Sequence, residues 1–495
     1  MAWLTKTRFL SGLQCHKRLW FEIHQPLEES IEPDIPILQG RVFDEAVQRL
    51  RPGVVISQDN GMLAAITETA RVLAQGTDAP STLYQPAFRA GDLAVIADVL
   101  RRIGNEFELI EVKATTQVKE THLADAAFQA LVVRGAGFPV GGVFIGHVNN
   151  QFVLRRADDY DGLLVEEDIT AAVEDYLPEA AVRASEYQQV MASPSTPTVS
   201  VGAHCMSPYE CPFLARCTAG QETPEFPVDL LPRGRKTLEA LMEDGYRDLR
   251  EVPIERLTSE THRRVHEATK SGAAYFDATA TAELRQLSFP YSYLDFETIS
   301  LSVPEVIGTR PYEKIPFQWS VHVEMNPTDI RHAEYLAIES FGDFDAMARA
   351  LIAAIPSEGP IFAYNASFEA EVLNSLADRL PGQDTALRQL AGRLVDLLPV
   401  TREAYYHRDM KGSWSIKDVI PTIRPELGYE RLDGVQEGGA AQLAFLELRG
   451  LNVSAERAQV LRSALLRYCA HDTWVMVVLR RFLCGESVLA LDQRS

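Results

Sequence analysis

Tyr293-Leu294-Asp295-Phe296-Glu297-Thr298 sets two carboxylates on one face of an apolar strand, with Phe296 on the other. Strand side chains alternate with period two, so Asp295 and Glu297 point the same way. Like charges that close are costly in a core, and a bound cation is the usual reason to keep such a pair. Further along, Ile361 to Tyr364 predicts a short buried strand, Ser367 to Leu380 a helix, and Ala455 to about Leu483 the last long helix. Two more acidic motifs ride on these elements: Asn365-Ala366-Ser367-Phe368-Glu369, and Tyr468-Cys469-Ala470-His471-Asp472.

In this order the three motifs resemble the DEDD exonucleases of the DnaQ-like, ribonuclease-H-like fold: D-x-E, then N-x-x-F-D, then Y-x-x-x-D. The resemblance implies that Asp295, Glu297, Glu369 and Asp472 hold two metal ions, Mg²⁺ or Mn²⁺, and that Tyr468 orients the attacking water. Glu369 stands where the family has Asp, and the extra methylene moves the carboxylate by more than ~1 Å. Arg467 excludes the variant with a His five residues before the last Asp, and His471 reads as a bystander. Asp396 and the segment Trp414-Ser415-Ile416-Lys417-Asp418 are similar to accessory motifs of these exonucleases, and equally read as caps or turns.

Upstream lies a second acidic pattern. Leu93 to Leu100 predicts one strand, a turn follows at Gly104-Asn105, and Phe107 to Val112 predicts its partner. Phosphodiester hydrolysis needs a divalent metal held by carboxylates and a cation near the attacking hydroxide. Asp98, Glu111 and Lys113 supply those types, with Glu111 and Lys113 on one strand face and the Val112 carbonyl as a further ligand. An ordinary Glu–Lys surface pair is the competing reading. Together with the helix bearing Asp125-Ala126-Ala127-Phe128-Gln129, these residues resemble the PD-(D/E)XK nuclease fold of the RecB type. That resemblance implies a supporting role for Gln129. It also places a metal-binding His four residues after an upstream Gly, where Gly40 is here followed by Asp44.

Cys15, Cys205, Cys211 and Cys217 can surround a Zn²⁺ ion or a [4Fe–4S] cluster, and C-x5-C-x5-C lacks the close pairs usual for zinc. RecB-like nucleases often carry one early and three late cysteines on an iron–sulfur cluster. The similarity implies [4Fe–4S], with Zn²⁺ as the alternative, in a structural role. The whole combination resembles bacterial fusions of a RecB-like nuclease domain with a DnaQ-like domain, described largely as a domain of unknown function.

The expected fold class is α/β: a PD-(D/E)XK restriction-endonuclease-like domain over 1–220 and a ribonuclease-H-like domain over 289–495, joined by a helical linker over 221–288. Within the first, a helix from about His122 to Arg134 and a hairpin of Val140 to His147 with Gln151 to Leu154 are expected, then an acidic helix from Ala157 to Gln189. In the linker, Leu241 to Leu249 reads as a helix-hairpin-helix turn or a plain glycine C-cap.

Composition bounds these expectations. The chain has 495 residues, 46% hydrophobic and 24% charged, which excludes disordered, collagen-like and coiled-coil classes. Its 48 Lys+Arg against 69 Asp+Glu give −21, which speaks against tight coating of a nucleic acid. Metal ions would offset some of those carboxylates, and Lys17-Arg18, Arg101-Arg102, Arg233, Arg235-Lys236 and Arg263-Arg264 offer local basic tracks. The longest uncharged stretch, 135–154, holds Pro139 and glycines, so no membrane span is expected. No apolar leader precedes Cys15, which predicts a cytoplasmic protein.

The expected function is a metal-dependent nuclease, an exonuclease with two centres hydrolysing DNA or RNA in repair or defence. The alternative is a nucleic-acid-binding or scaffold protein with one or both centres inactive and a structural iron–sulfur cluster. A redox protein is disfavoured, because no second cofactor motif such as G-x-G-x-x-G is evident.

Overall fold

The computed structural model describes residues 2–27, 34–76, 79–220, 224–450 and 453–488. The chain is a mixed α/β protein that divides into two compact units. The first comprises Met1–Gln221 and Ser300–Glu313, the second Glu222–Ile299 and Lys314–Ser495. Of the linker expected over 221–288, residues 224–288 thus group with the second unit, and 300–313 group with the first.

The first unit opens with β1 (Leu4–Thr5), α1 (Lys6–Gln14), α2 (His16–His24), α3 (Ile35–Leu50), β2 (Val54–Val55) and α4 (Met62–Leu73). Five strands follow: β3 (Thr82–Tyr84), β4 (Ala87–Ala90), β5 (Leu93–Ile96), β6 (Val99–Ile103) and β7 (Glu106–Lys113). Then come α5 (Glu120–Gly135), β8 (Val140–Val148), β9 (Leu164–Asp168), α6 (Thr170–Ala192) and α7 (Leu214–Thr218). A six-stranded sheet runs β2-β3-β6-β7-β8-β9, and a small sheet runs β1-β5-β4. β7 lies antiparallel to β6 and parallel to β8. Small residues on α5, Ala124, Ala126, Ala127 and Ala130, let the helix press close to its neighbours, while Phe128 stacks on Phe9 at 4.6 Å.

Three expectations are corrected here. Leu93 to Leu100 is two strands in different sheets, because the chain breaks at Ala97-Asp98. Gln151 to Leu154 is no strand, and the antiparallel partner of β8 is β9. The cause is Asn149, whose side chain accepts the Gln151 N–H at 3.0 Å and donates to the Gly162 carbonyl at 2.9 Å, turning the chain away. Finally, the acidic run is not one helix. Asp168 ends β9 and takes the Thr170 N–H at 2.9 Å, so the helix begins only at Thr170.

The second unit contains α8 (Arg235–Glu243), α9 (Glu260–Ser271), β10 (Tyr275–Phe276), β11 (Tyr291–Ser300), β12 (Lys314–Asn326) and β13 (Asp329–Leu336). It continues with α10 (Phe344–Ala354), β14 (Ile361–Ala363), α11 (Ser367–Arg379), α12 (Asp384–Ala391) and β15 (Leu394–Asp396). The chain closes with α13 (Leu397–Ala404), β16 (Tyr405–Tyr406), α14 (Ile416–Ile423), α15 (Gly438–Arg449) and α16 (Ala455–Leu483). Its main sheet runs β13-β12-β11-β14-β15, with β14 parallel to both β11 and β15. Leu241 to Leu249 is a glycine C-cap: Tyr246 N–H returns to the Leu241 carbonyl at 3.0 Å, Gly245 has φ +88°, and the next α-helix waits until Glu260.

The main sheet sorts its residues by face. Leu294, Phe296, Val321 and Val323 share one apolar core with α10, α11 and α12. On the other face Gln318, Ser320 and His322 are buried yet bonded to α16, through the Leu465 carbonyl at 2.8 Å and the Thr473 hydroxyl at 2.8 and 2.7 Å. Buried Glu324 is held by Arg481 at 2.7 Å, so most polar groups on this face are bonded, while Gln318 Oε1 finds no partner among the described residues. Among the described residues no helix is long and apolar enough to cross a membrane.

Candidate metal centres

In the second unit β11 brings Asp295 and Glu297 to the face packed by α16, which brings Asp472. Carboxylate oxygens of the three lie within 4.8 Å of one another. Burial raises all of them: Asp295 well above the usual range, helped by the charges of Asp472, Glu297 and Glu369; Glu297 to about 8; Asp472 to about 6. Glu369 joins from the first turn of α11, where the chain leaves β14 through Asn365 at φ +70°, a left-handed turn that Asn tolerates. Burial lifts Glu369 to about 8, with Asp396 and Asp472 adding to it. Its Oε2 is buried and finds no hydrogen-bond partner among the described residues. An acidic group so placed fits a divalent cation.

Several neighbours bond these carboxylates or brace the segments that carry them. Tyr429 donates its hydroxyl to Asp472 Oδ1, and Tyr468 bonds the same carboxylate. The Cys469 thiol lies 3.4 Å from Asp295 Oδ2. Asp396 caps α13 through the Leu398 N–H at 2.9 Å and takes the Asn365 N–H at 2.9 Å, so it braces the turn that delivers Glu369. His471 bonds the Leu427 carbonyl at 2.9 Å.

In the first unit Asp98, Glu111, Lys113 and Gln129 do meet. Lys113 Nζ stands 2.5 Å from Glu111 Oε1 and 2.7 Å from Asp125 Oδ2, and Gln129 Nε2 donates to Glu111 Oε2 at 2.6 Å and Asp125 at 2.9 Å. Asp125 and Gln129 are one turn apart on α5 and therefore share its face. Asp98 accepts the Val112 N–H at 2.8 Å and hydrogen-bonds Glu111; burial, then the charge of Glu111, holds it well above the carboxylate range. Burial would raise Glu111 too, but the ammoniums of Lys6 and Lys113 outweigh it and hold it well below. Lys6, the first residue of α1, lies 2.7 Å from Glu111 Oε1. Asp44 is raised to about 6 by burial and by Glu111, which brings it into the same electrostatic group. Glu111 is thus already bonded on both oxygens, and a cation there has to displace a lysine.

Sequence reasoning assigned no role to Lys6 or Asp125. Asp125 had a signal, its i, i+4 spacing from Gln129. Lys6, Tyr429 and Cys469 had none, since their partners lie 105, 43 and 174 residues away.

The cysteines gather at the base of the first unit's N-terminal helices. Cys15 precedes α2, Cys205 ends a short 3₁₀ turn, and Cys217 lies in α7. Cys205, Cys211 and Cys217 pack with Trp20, Phe21 and Phe213. Burial pushes the Cys211 thiol up, with smaller contributions from Cys15 and Cys205, which places those sulfurs near it. Gln14 clamps the cysteine loop, donating to the carbonyls of His204 at 2.8 Å and Tyr209 at 2.6 Å. Cys205, Cys211 and Cys217 thus share an apolar shell with Cys15 nearby, and thiols suit a soft metal or an iron–sulfur cluster, but among the described residues no three of the four sulfurs lie within 4.8 Å of one another.

Comparison with known proteins adds two findings. A family model described as Domain of unknown function (DUF2779) matches residues 292–415, from β11 to the residue before α14. An uncharacterized protein of Mycoplasma genitalium is 26% identical over 211 residues, which is 39% of this chain and 31% of that protein. The chain therefore spans less than a third of that relative's length.

Proposed function

We propose that this chain is a metal-dependent nuclease, hydrolysing phosphodiester bonds of DNA or RNA, with its working centre at Asp295, Glu297, Glu369 and Asp472. One observation carries the reading: the two carboxylates of β11 and the one from α16, which lies far along the chain from them, bring their oxygens within 4.8 Å of one another. The sheet of the second unit, with α16 on its polar face, supports a ribonuclease-H-like, DnaQ-like assignment. Bound there, Mg²⁺ or Mn²⁺ would supply a hydroxide at neutral pH and offset the charge that builds on the phosphate. The chain's own residues do the rest. Tyr468 and Tyr429 fix the Asp472 carboxylate by hydrogen bonds, Asp396 braces the Glu369 turn, and Cys469 steadies Asp295.

The first unit supports a PD-(D/E)XK reading through Asp98, Glu111, Lys113 and Gln129, with Mg²⁺ or Mn²⁺ at Asp98 and Glu111. The saturation of Glu111 by Lys6, Lys113 and Gln129 favours a second reading for this unit alone, in which it binds nucleic acid without cutting. Cys15, Cys205, Cys211 and Cys217 would hold a structural [4Fe–4S] cluster, or Zn²⁺ in its place.

Asp295→Asn and Asp98→Asn, assayed separately with Mn²⁺ on single- and double-stranded DNA and RNA, apportion the activity. Asp295→Asn is expected to remove it. Full activity in both variants overturns the assignment.

A further inference from the structure

Lys417 stands at the start of α14, where its N–H meets the Ser415 hydroxyl at 3.4 Å. Its ammonium lies 5.1 Å from the ring centre of Tyr429 and 5.3 Å from that of Tyr468. Those are the two tyrosines that bond Asp472. A third contact fixes its position: it donates to the Gln436 carbonyl at 2.7 Å. Two aromatic faces and a carbonyl therefore hold a positive charge over the carboxylates, and that charge reaches both Glu297 and Asp472. Just beyond Gln436, α15 begins at Gly438, where a Cβ would sit 4.0 Å from Glu297 Oε2. The segment from Lys417 to Gly438 thus forms one wall of the centre.

A lysine placed this way suits an anion. Hydrolysis of a phosphodiester builds negative charge on the non-bridging oxygens, and a cation already fixed beside them stabilises that charge without reorganising. Lysine serves such sites as a point charge.

We propose that Lys417 is the phosphate-contacting residue of the second centre: its ammonium meets a non-bridging oxygen of the phosphate being cleaved, and Tyr429 and Tyr468 hold it in place. This rests on the nuclease reading above. The proposal predicts opposite signs for two binding constants. Removing a positive charge beside the carboxylates leaves Mn²⁺ affinity equal or tighter, while phosphate affinity falls.

Calorimetric titration of the full chain and of Lys417→Gln, first with Mn²⁺ alone and then with adenosine 5′-monophosphate in saturating Mn²⁺, reads both. The expected result is undiminished Mn²⁺ binding with adenosine 5′-monophosphate weakened about tenfold or more, and recovery to within about threefold of wild type in Lys417→Arg. Unchanged adenosine 5′-monophosphate binding overturns the role of Lys417 alone, and so does loss of both ligands together, the mark of a structural role. If the unaltered chain binds no Mn²⁺, the nuclease reading itself fails, and this proposal with it.

Discussion

Lys6 Nζ lies 2.7 Å from Glu111 Oε1, at a carboxylate side chain only 1% exposed. Lys113 holds the same oxygen, so two ammoniums neutralise one buried acid and its neighbour Asp125. Replacing Lys6 by Gln leaves that group short of one positive charge. Lys6 is itself 27% exposed, which screens the pair, so the expected cost is about 1 kcal/mol. The melting temperature without divalent ions should fall by about 2–4 °C, and Mn²⁺ should restore it by taking the vacated contact. Scanning fluorimetry with and without Mn²⁺ reads this; an unchanged melting temperature would show that Lys6 is a passive surface pair.

Glu369 predicts a separation of stability from activity. Its Oε2 is buried without a hydrogen-bond partner among the described residues, and an unpaired buried acid is costly. Glu369→Gln removes the ionisable group while keeping the volume. The variant should melt at or above the wild-type temperature in metal-free buffer, yet lose about 100-fold or more in Mn²⁺-dependent turnover. A destabilised variant with full turnover would remove Glu369 from the centre.

The second centre also sets a pH dependence. Glu297 and Glu369 rise from 4.5 to about 8, and Asp472 rises from 3.8 to about 6. A folded-state value above the unfolded one means that the folded chain holds more protons between the two. Their contribution to stability is therefore complete below about pH 4 and is lost as pH rises through 8. Metal-free Glu297→Gln should show a shallower decline of melting temperature from pH 5 to 8.5 than the wild type. A steeper decline, or a parallel one, contradicts the assignment of that shift to Glu297.

Gln14 predicts the behaviour of the cysteine group. Its amide ties the loop of Cys205 and Cys211 to the helix that ends before Cys15. Gln14→Ala should therefore lower the iron and sulfide content of the purified protein, with the brown absorbance fading alongside. Cys211→Ser should abolish both. Full iron and sulfide in Cys211→Ser, or zinc in their place in the unaltered chain, would remove the iron–sulfur assignment.

Much of the second centre was legible because strand alternation and helix spacing are local rules. Asp295 and Glu297 two apart on a strand, and Asp472 one turn after Tyr468, state their common face in the sequence. Asn365 was legible as a motif, but only the structure gives its reason, the left-handed turn into α11. Lys6 and Tyr429 were not legible as site residues, and Lys417 was legible only as part of the Trp414 to Asp418 segment without a role, because nothing local distinguishes a lysine or tyrosine that meets a distant carboxylate from one that meets water. The break between β5 and β6 was hidden for a related cause. Leu93 to Leu100 is largely strand-forming apart from Asp98, and the competing hydrogen bond that the Val112 N–H donates to the Asp98 carboxylate is a tertiary contact. The acidic run misled through composition: Glu166 faces Arg51 and Arg101 at 2.9 Å from a strand, not from a solvated helix.

Calorimetric titration of Mn²⁺ into the metal-free chain and into Asp295→Asn tests the central claim most directly. Saturable binding is expected in the unaltered chain, weakening about 100-fold or disappearing in Asp295→Asn at an unchanged melting temperature. Equal Mn²⁺ binding by both proteins would contradict it.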